Sequence, residues 1–288
     1  MLTELRSLIR RHAVPGESRT AFRGLLLSAY ALPTHPELYW AEPAFALIAQ
    51  GAKDVVLGEE VFRYAEGQYL VYSVDLPLSS RVALASEKNP LLGLGIKLNP
   101  DKVAALLLEA GIRPRNRGRQ RSIAVSDVDN DLLDSVVRLL RLLDRPSDLS
   151  ILGESIEREI LWRLINGEQG ELVQQLGFAD GRTMQIGRAI KWIRANYANA
   201  LRVEELAEVA CMSITSLHRH FAAVTSLSPI QFQKQVRLQV ARTLLLSSAK
   251  SIADIGLEVG YDSPSQFSRE YRRQFGRPPR LDSDLLKR

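Results

Sequence analysis

The feature that most restricts this 288-residue chain is a motif written twice in its last third. VEELAEVAC, residues 203 to 211, aligns with IADIGLEVG, residues 252 to 260, so that Leu206 meets Ile255, Ala207 meets Gly256 and Ala210 meets Val259. SITSLHRHF, 213 to 221, aligns with SPSQFSREY, 263 to 271, so that Ser213 meets Ser263, Leu217 meets Phe267, Arg219 meets Arg269 and Phe221 meets Tyr271. The offset is 49 before the intervening turn and 50 after it, so the second copy carries one extra turn residue. Repetition at a fixed period marks each copy as one supersecondary unit.

Each copy reads as a short helix, a turn of three or four residues, and a second helix opened by a serine. A hydroxyl at Ser213 or Ser263 can accept from an orphan amide of the first turn, and Pro264 falls where its missing N–H costs nothing. Within SPSQFSREYRRQFG, Phe267, Tyr271 and Phe275 stand at i, i+4 and i+8 and form one stripe. Ser265, Ser268, Arg269, Arg272 and Arg273 share the other face. Alone, such a helix is also an ordinary solvated surface element; duplicated, the pattern is that of a helix-turn-helix, whose second helix enters the DNA major groove. The small pair Ala207 and Gly256 lets the helices of each unit approach closely. Cys211 stands where the other copy has Gly260, a turn position that favours positive φ, and is expected to be a small buried side chain.

The connection between the copies repeats the cap-and-proline start at Ser228-Pro229. IQFQKQVRLQVARTLLL then runs to about Ser247 without a breaker. Roughly 20 residues make about 30 Å of helix, against about 34 Å for one turn of B-DNA. Charge agrees with a polyanion partner: from Gly181 onward there are 17 Lys+Arg against 9 Asp+Glu, whereas the preceding 180 residues hold 21 against 24. Charge alone leaves a membrane surface open as well.

Before this third, the chain changes character. From about Phe22 to Leu98, short apolar runs such as AFALIAQG, KDVVLG and VFRYAEGQYLVYSV are separated by Gly51, Gly58, Gly67, Pro77 and Asn89-Pro90, as in an antiparallel barrel or sandwich. DKVAALLLEAG then has helical spacing and stops at Gly111. RPRNRGRQR, with arginine at 113, 115, 117, 119 and 121, reads as a solvated loop, with an auxiliary DNA or partner contact as the second reading. Two further helices, around Val128 to Leu143 and Leu149 to Asn166, are divided by Pro146. The domain boundary is expected between residues 179 and 182, giving domains 1–180 and 181–288, with helices over about 127–176.

MSITSLHRHF, the SP at 228 and 229, RLQVARTLLL, IADIGLEVGYDSPSQFSREYRRQFG and the PP at 278 and 279 resemble the AraC/XylS family of bacterial transcription regulators. In the first domain QGAKDVVLG, YLVYSVDLP and RLLDRPSD…IEREILWRL are similar to the cupin-like sensor half found in one branch of that family. The resemblance implies an α+β chain: a cupin-like antiparallel β-barrel with dimerisation helices, then an all-α domain of seven helices with two helix-turn-helix motifs. It implies double-stranded DNA, RNA polymerase and a second copy of the chain as partners, and a small-molecule effector. The positions matching the family's base-facing ones are Thr215, His218 and Arg219 in the first unit and Ser265, Gln266 and Arg269 in the second. Arg can bind guanine and Gln adenine in bidentate fashion, while Thr and Ser offer a hydroxyl or methyl; a phosphate contact remains the alternative for each. Ser213, Ser263, Arg272 and Arg273 are assigned to phosphate contacts.

For an effector, the inner barrel wall would offer Tyr39, Trp40, Phe45, Tyr69 and Tyr72, against the alternative that these are plain core. No cofactor and no metal site are expected: the first domain has only His12 and His35, and His218 and His220 do not share a helix face. Gly93-Leu94-Gly95 is too little for a phosphate loop. Cys211 is the sole cysteine, no run of eighteen apolar residues occurs and the N-terminus has no apolar signal core, so a cytoplasmic protein away from the membrane is expected. A cupin-like enzyme with a nucleic-acid targeting module is the competing reading, weakened by the lack of an acid–base or ligand constellation. Non-specific nucleic-acid packaging is the third.

Overall fold

A computed structural model describes residues 1–22, 24–113, 122–178, 181–247 and 250–286. The arginine-rich loop expected over 113–121 lies, beyond Arg113, outside the described residues. The chain divides into two compact units, Met1–Met184 and Gln185–Arg288.

The first unit begins with α1 (Leu2–His12) and continues through β1 (Ser18–Phe22), β2 (Leu25–Tyr30), β3 (Glu37–Ala41), β4 (Ala44–Gln50), β5 (Ala52–Leu57), β6 (Glu60–Ala65), β7 (Gln68–Tyr72), β8 (Leu76–Leu84) and β9 (Leu91–Lys97). Then follow α2 (Pro100–Glu109), β10 (Ile123–Asp127), α3 (Asn130–Arg141), α4 (Pro146–Asn166) and α5 (Gly170–Gly177). The strands form two antiparallel sheets, one ordered β1-β2-β9-β4-β7-β10 and the other β3-β8-β5-β6. Among the described residues no ladder joins the two sheets, so the cupin-like barrel is an open sandwich.

Strand pleat assigns alternate residues to opposite faces of the larger sheet. Leu25 and Leu27, Phe45 and Leu47, Tyr69 and Val71, and Leu92, Leu94 and Ile96 face the helices and share one core with residues of α1 to α5. The α3 stripe, Leu132, Leu133, Val136, Val137, Leu139 and Leu140, is entirely buried in this core, which accounts for a helix apolar over more than a narrow face. Local chemistry fixes the helix starts. Asn99 caps α2 by accepting from the Asp101 amide at 2.8 Å, Asp129 caps α3 from the Leu132 amide at 2.8 Å, and Pro100 and Pro146 open α2 and α4.

The second unit is helical: α6 (Arg182–Ala195), α7 (Val203–Val209), α8 (Ile214–Thr225), α9 (Pro229–Ser247), α10 (Ile252–Glu258), α11 (Pro264–Phe275) and α12 (Pro279–Leu286). α9 is unbroken over 19 residues, about 28 Å. Ser228 and Gln231 form a reciprocal capping box at its start: the Gln231 side chain accepts from the Ser228 amide at 2.9 Å, and Ser228 Oγ from the Gln231 amide at 3.3 Å.

Candidate nucleic-acid interface and effector cavity

Both repeats fold as helix, turn and helix, α7–α8 and α10–α11, with connecting segments 210–213 and 259–263. The extra residue of the second copy therefore lies in its turn. The two turns start identically. Met212 N–H donates to Ala207 O at 2.9 Å and Tyr261 N–H to Gly256 O at 3.0 Å, closing each first helix with a left-handed residue, Cys211 at φ 52° or Gly260 at φ 92°. Cys211 is exposed, contrary to the expectation of a buried side chain. The reason is the surroundings of the turn: a Cβ on Gly260 would lie 2.2 Å from Ala198 O, so the second copy tolerates no side chain there, whereas in the first copy solvent receives the thiol.

Ser213 Oγ accepts from the Ser216 amide at 3.3 Å and Ser263 Oγ from the Gln266 amide at 3.4 Å, so both second helices are serine-capped. One face of each helix is core. Leu217 and Phe221, Phe267 and Tyr271 have no exposed surface, and Ala207 and Gly256 are tightly packed; a Cβ on Gly256 would meet the Phe267 ring at 3.1 Å. Burying rings of this size contributes about 2 to 3 kcal/mol each, which fixes the rotation of α8 and α11 about their axes. Phe275, the last ring of the stripe, is half-buried, its centroid 4.5 Å from that of Tyr271.

That rotation brings Thr215, His218 and Arg219 of α8, and Ser265, Gln266 and Arg269 of α11, to the exposed side. Thr215 and Ser265 are equivalent in the repeat, as are Arg219 and Arg269. Arg272 and Arg273 are exposed further along α11, Ser263 is half-buried and Ser213 exposed. Arg219 has a neighbour: its Nη2 is 3.3 Å from His220 Nε2, and His220 is half-buried. The Gln266 amide reaches Glu270 at 3.4 Å.

Sequence reasoning missed the polar side chains that tie α9 to the segment after α6, to the second copy and to α12. Arg237 donates to the carbonyl oxygens of Tyr197 (2.7 Å), Asn199 (2.9 Å) and Gly260 (2.6 Å), and Gln233, one helical turn earlier, donates to Asn199 O at 2.7 Å. Glu270 of α11 accepts from Lys234 Nζ and the Tyr261 hydroxyl, both at 2.9 Å. Burial works to raise the Glu270 carboxyl, but hydrogen bonds from Lys234, Tyr261 and Gln266 hold it below its ordinary value. Asp282 of α12 accepts from Arg242 of α9 at 3.0 Å and from the Tyr271 hydroxyl at 2.8 Å. The available signal was the i, i+4 pairing of Gln233 with Arg237 beside buried Phe232 and Val236.

Between the two sheets of the first unit lies a cavity of about 430 Å³. Of the five aromatics assigned to a pocket, Tyr39 and Tyr72 line it; Trp40, Phe45 and Tyr69 do not. Phe45 and Tyr69 sit on the helix-facing side of the larger sheet with centroids 5.4 Å apart, and Trp40 follows Tyr39 on the opposite face of β3. Tyr30, Tyr64 and Lys53 are lining residues that the sequence did not single out. Burial pushes the Tyr39 hydroxyl up to about 12 despite a hydrogen bond with Ser80. Gly93 and Gly95 line this cavity rather than forming a phosphate loop: with Ala46 and Ser28 they leave the inner face of the large sheet short of side-chain volume.

Among the described residues no cluster of three or more His, Cys, Asp or Glu side chains could hold a metal, and no helix is long and apolar enough to cross a membrane.

Comparison with known proteins gives these units a family. Residues 21–172 match the model for the AraC-type transcriptional regulator N-terminus, and residues 206–281 match a helix-turn-helix domain. The thermoregulatory protein LcrF of Yersinia pestis is 26% identical over 84% of this chain and 93% of its own length. The HTH-type transcriptional regulator ArgR of Pseudomonas aeruginosa is 31% identical over 50% of this chain and 44% of its own. ToxT from Vibrio cholerae shares the fold at a TM-score of 0.53 and 11% identity, over 92% of this chain and 99% of that one. With a matched AraC-type N-terminal unit followed by a matched helix-turn-helix unit, the chain belongs to the AraC-type family of DNA-binding transcriptional regulators.

Proposed function

We propose that this regulator reads two successive major grooves with α8 and α11, using Thr215, His218 and Arg219 in one groove and Ser265, Gln266 and Arg269 in the other. The observation that carries this reading is the equivalence of Thr215 with Ser265 and of Arg219 with Arg269, on serine-capped helices fastened to a single unbroken helix. The length of α9, about 28 Å, is close to the groove repeat of about 34 Å. Ser213, Ser263, Arg272 and Arg273 contact phosphates, positioning the helices without reading sequence.

In the same reading, residues 1–180 sense a small molecule in the cavity and join two copies of the chain, while residues 181–288 bind DNA and meet RNA polymerase. An effector acts by binding one arrangement of the protein better than another. Support for a dimer comes from α4, where Ile151 and Trp162, three turns apart on one side, are 75% and 38% exposed. The relatives are transcriptional regulators, and no catalytic role is assigned to the chain.

Genomic footprinting followed by gel shifts tests the DNA reading. Arg269→Ala should weaken the footprinted site by about 1 to 3 kcal/mol and relax preference at one base pair. Equal weakening on all sequences would reduce Arg269 to a phosphate contact. Equal affinity of the unmutated protein for all sequences at fixed salt would remove the regulator reading in favour of packaging.

A further inference from the structure

Building on the sensor reading, we infer that the cavity between the two sheets receives a compact organic anion with an apolar body, Lys53 supplying the counter-charge and the Tyr64 and Tyr72 hydroxyls donating hydrogen bonds. Lys53 extends from β5 on the face that lines the cavity, and its register partners Tyr64 on β6 and Val82 on β8 line it too. Among the described residues, no hydrogen bond or ion pair engages Lys53; its ammonium lies 6.0 Å from the centroid of the Tyr39 ring. Burial disfavours its charged form, while Glu37, exposed and also lining the cavity, favours it through its charge without a hydrogen bond or ion pair to Lys53 among the described residues. Arg81 also lines the cavity, but its guanidinium is committed to Asp54, with Nε at 3.0 Å from Oδ2.

Tyr64 and Tyr72 supply an independent observation. They are 3% and 9% exposed, both line the cavity, and neither hydroxyl has a hydrogen-bond partner among the described residues. Burial raises both hydroxyls above the ordinary phenol range, so each remains a protonated donor. A half-buried ammonium and two phenols that line one space, none of them held by a side-chain hydrogen bond or ion pair among the described residues, call for an acceptor. A carboxylate satisfies both, through charge-assisted hydrogen bonds. Beside the polar Ser28, Thr34, Glu37 and Ser80, the wall also carries aliphatic side chains, Leu26, Ile48, Leu70 and Leu91, which match an apolar body rather than a hydrated inorganic ion.

The test is calorimetric titration of the full chain with benzoate, phenylpropionate and octanoate, each compared with its uncharged primary amide. At least one acid should saturate the protein and bind about tenfold or more tightly than its amide, and Lys53→Met and Lys53→Gln should lose that preference. Gly95→Leu, whose added Cβ has its nearest neighbours at 3.8 and 3.9 Å, fills the cavity and should bind none of them. Circular dichroism checks each fold; if neither Lys53 variant folds, the acid-to-amide ratio on the unmutated chain decides alone. Amides binding as tightly as acids, an unchanged preference in a folded Lys53 variant, or no acid saturating the unmutated chain overturns the anion assignment. The sensor reading fails on a different result: a folded Gly95→Leu protein driving its footprinted promoter identically to the unmutated one across growth conditions that change expression.

Discussion

The Arg237 guanidinium donates to the carbonyl oxygen of Gly260 at 2.6 Å, joining the middle of α9 to the turn of the second helix-turn-helix. The same side chain holds Tyr197 O and Asn199 O, in the segment just after α6, so one residue fastens that segment and the second turn to a single helix. α9 is thereby joined to the second turn, and to the segment that leads into α7, by a hydrogen-bonded node.

Arg237→Ala should free these carbonyls and destabilise the node by about 2 kcal/mol, the scale of hydrogen bonds to a charged group. Hydrogen–deuterium exchange should accelerate at residues 197–199 and 259–261. Affinity for a two-groove site should fall more than affinity for a single half-site.

Gly260→Ala and Cys211→Gly, made at equivalent turn positions, should act in opposite directions. The first places a Cβ 2.2 Å from Ala198 O at φ 92° and should cost more than about 2 kcal/mol, beyond the usual left-handed penalty. The second relieves a non-glycine residue at φ 52° and should stabilise by up to about 1 kcal/mol. Thermal melts of the two variants, compared in sign, check this.

Arg272→Ala and Arg273→Ala should each weaken binding by a similar factor on every DNA sequence and lower the slope of log affinity against log salt by about one. A change confined to one base pair would instead make the residue a base reader. Filter binding across a salt series, on the footprinted site and on a scrambled one, separates the outcomes.

Asp54 is 2% exposed and receives Arg63 through two hydrogen bonds, at 2.6 and 2.9 Å, with Arg81 as a further donor. The Arg63 bonds, opposed by burial and helped by Arg81, hold its carboxyl below the ordinary carboxylate range. A folded-state value below the unfolded one contributes stability that is present above about pH 4 and disappears as pH falls through the lower folded value. Asp54→Asn should destabilise the first unit by about 2 kcal/mol at pH 7 and flatten the acid side of its urea-midpoint profile.

Ile151→Asp combined with Trp162→Ala should shift the full chain toward monomer in sedimentation equilibrium while leaving its helix content intact. An unchanged mass would remove α4 as the joining surface.

The duplicated helix-turn-helix was legible in the residues alone because its determinants are local. Serine caps, an N-terminal proline, a four-residue ring spacing and a left-handed turn act within a few positions of one another, and a repeat exposes them twice. The exposed sides of α8 and α11 followed from the same stripes. The cavity wall was not legible, because the large sheet is buried on both faces: Phe45 and Ala46, or Tyr69 and Leu70, give no alternation of apolar with polar, so parity along the strand cannot be assigned from composition. Only the pairing of β4 with β7 and β9, and the helices laid on one side, sent Phe45 and Tyr69 to the core and Tyr72 inward, while the β5–β6 and β5–β8 ladders of the other sheet set Tyr64 and Lys53 against the same cavity. Arg237 and Gly260 likewise meet across 23 positions of sequence. Local chemistry wrote the two helix-turn-helix units into the chain; what faces the cavity, and what holds the second copy and the segment after α6 to α9, was decided by contacts between residues distant in sequence.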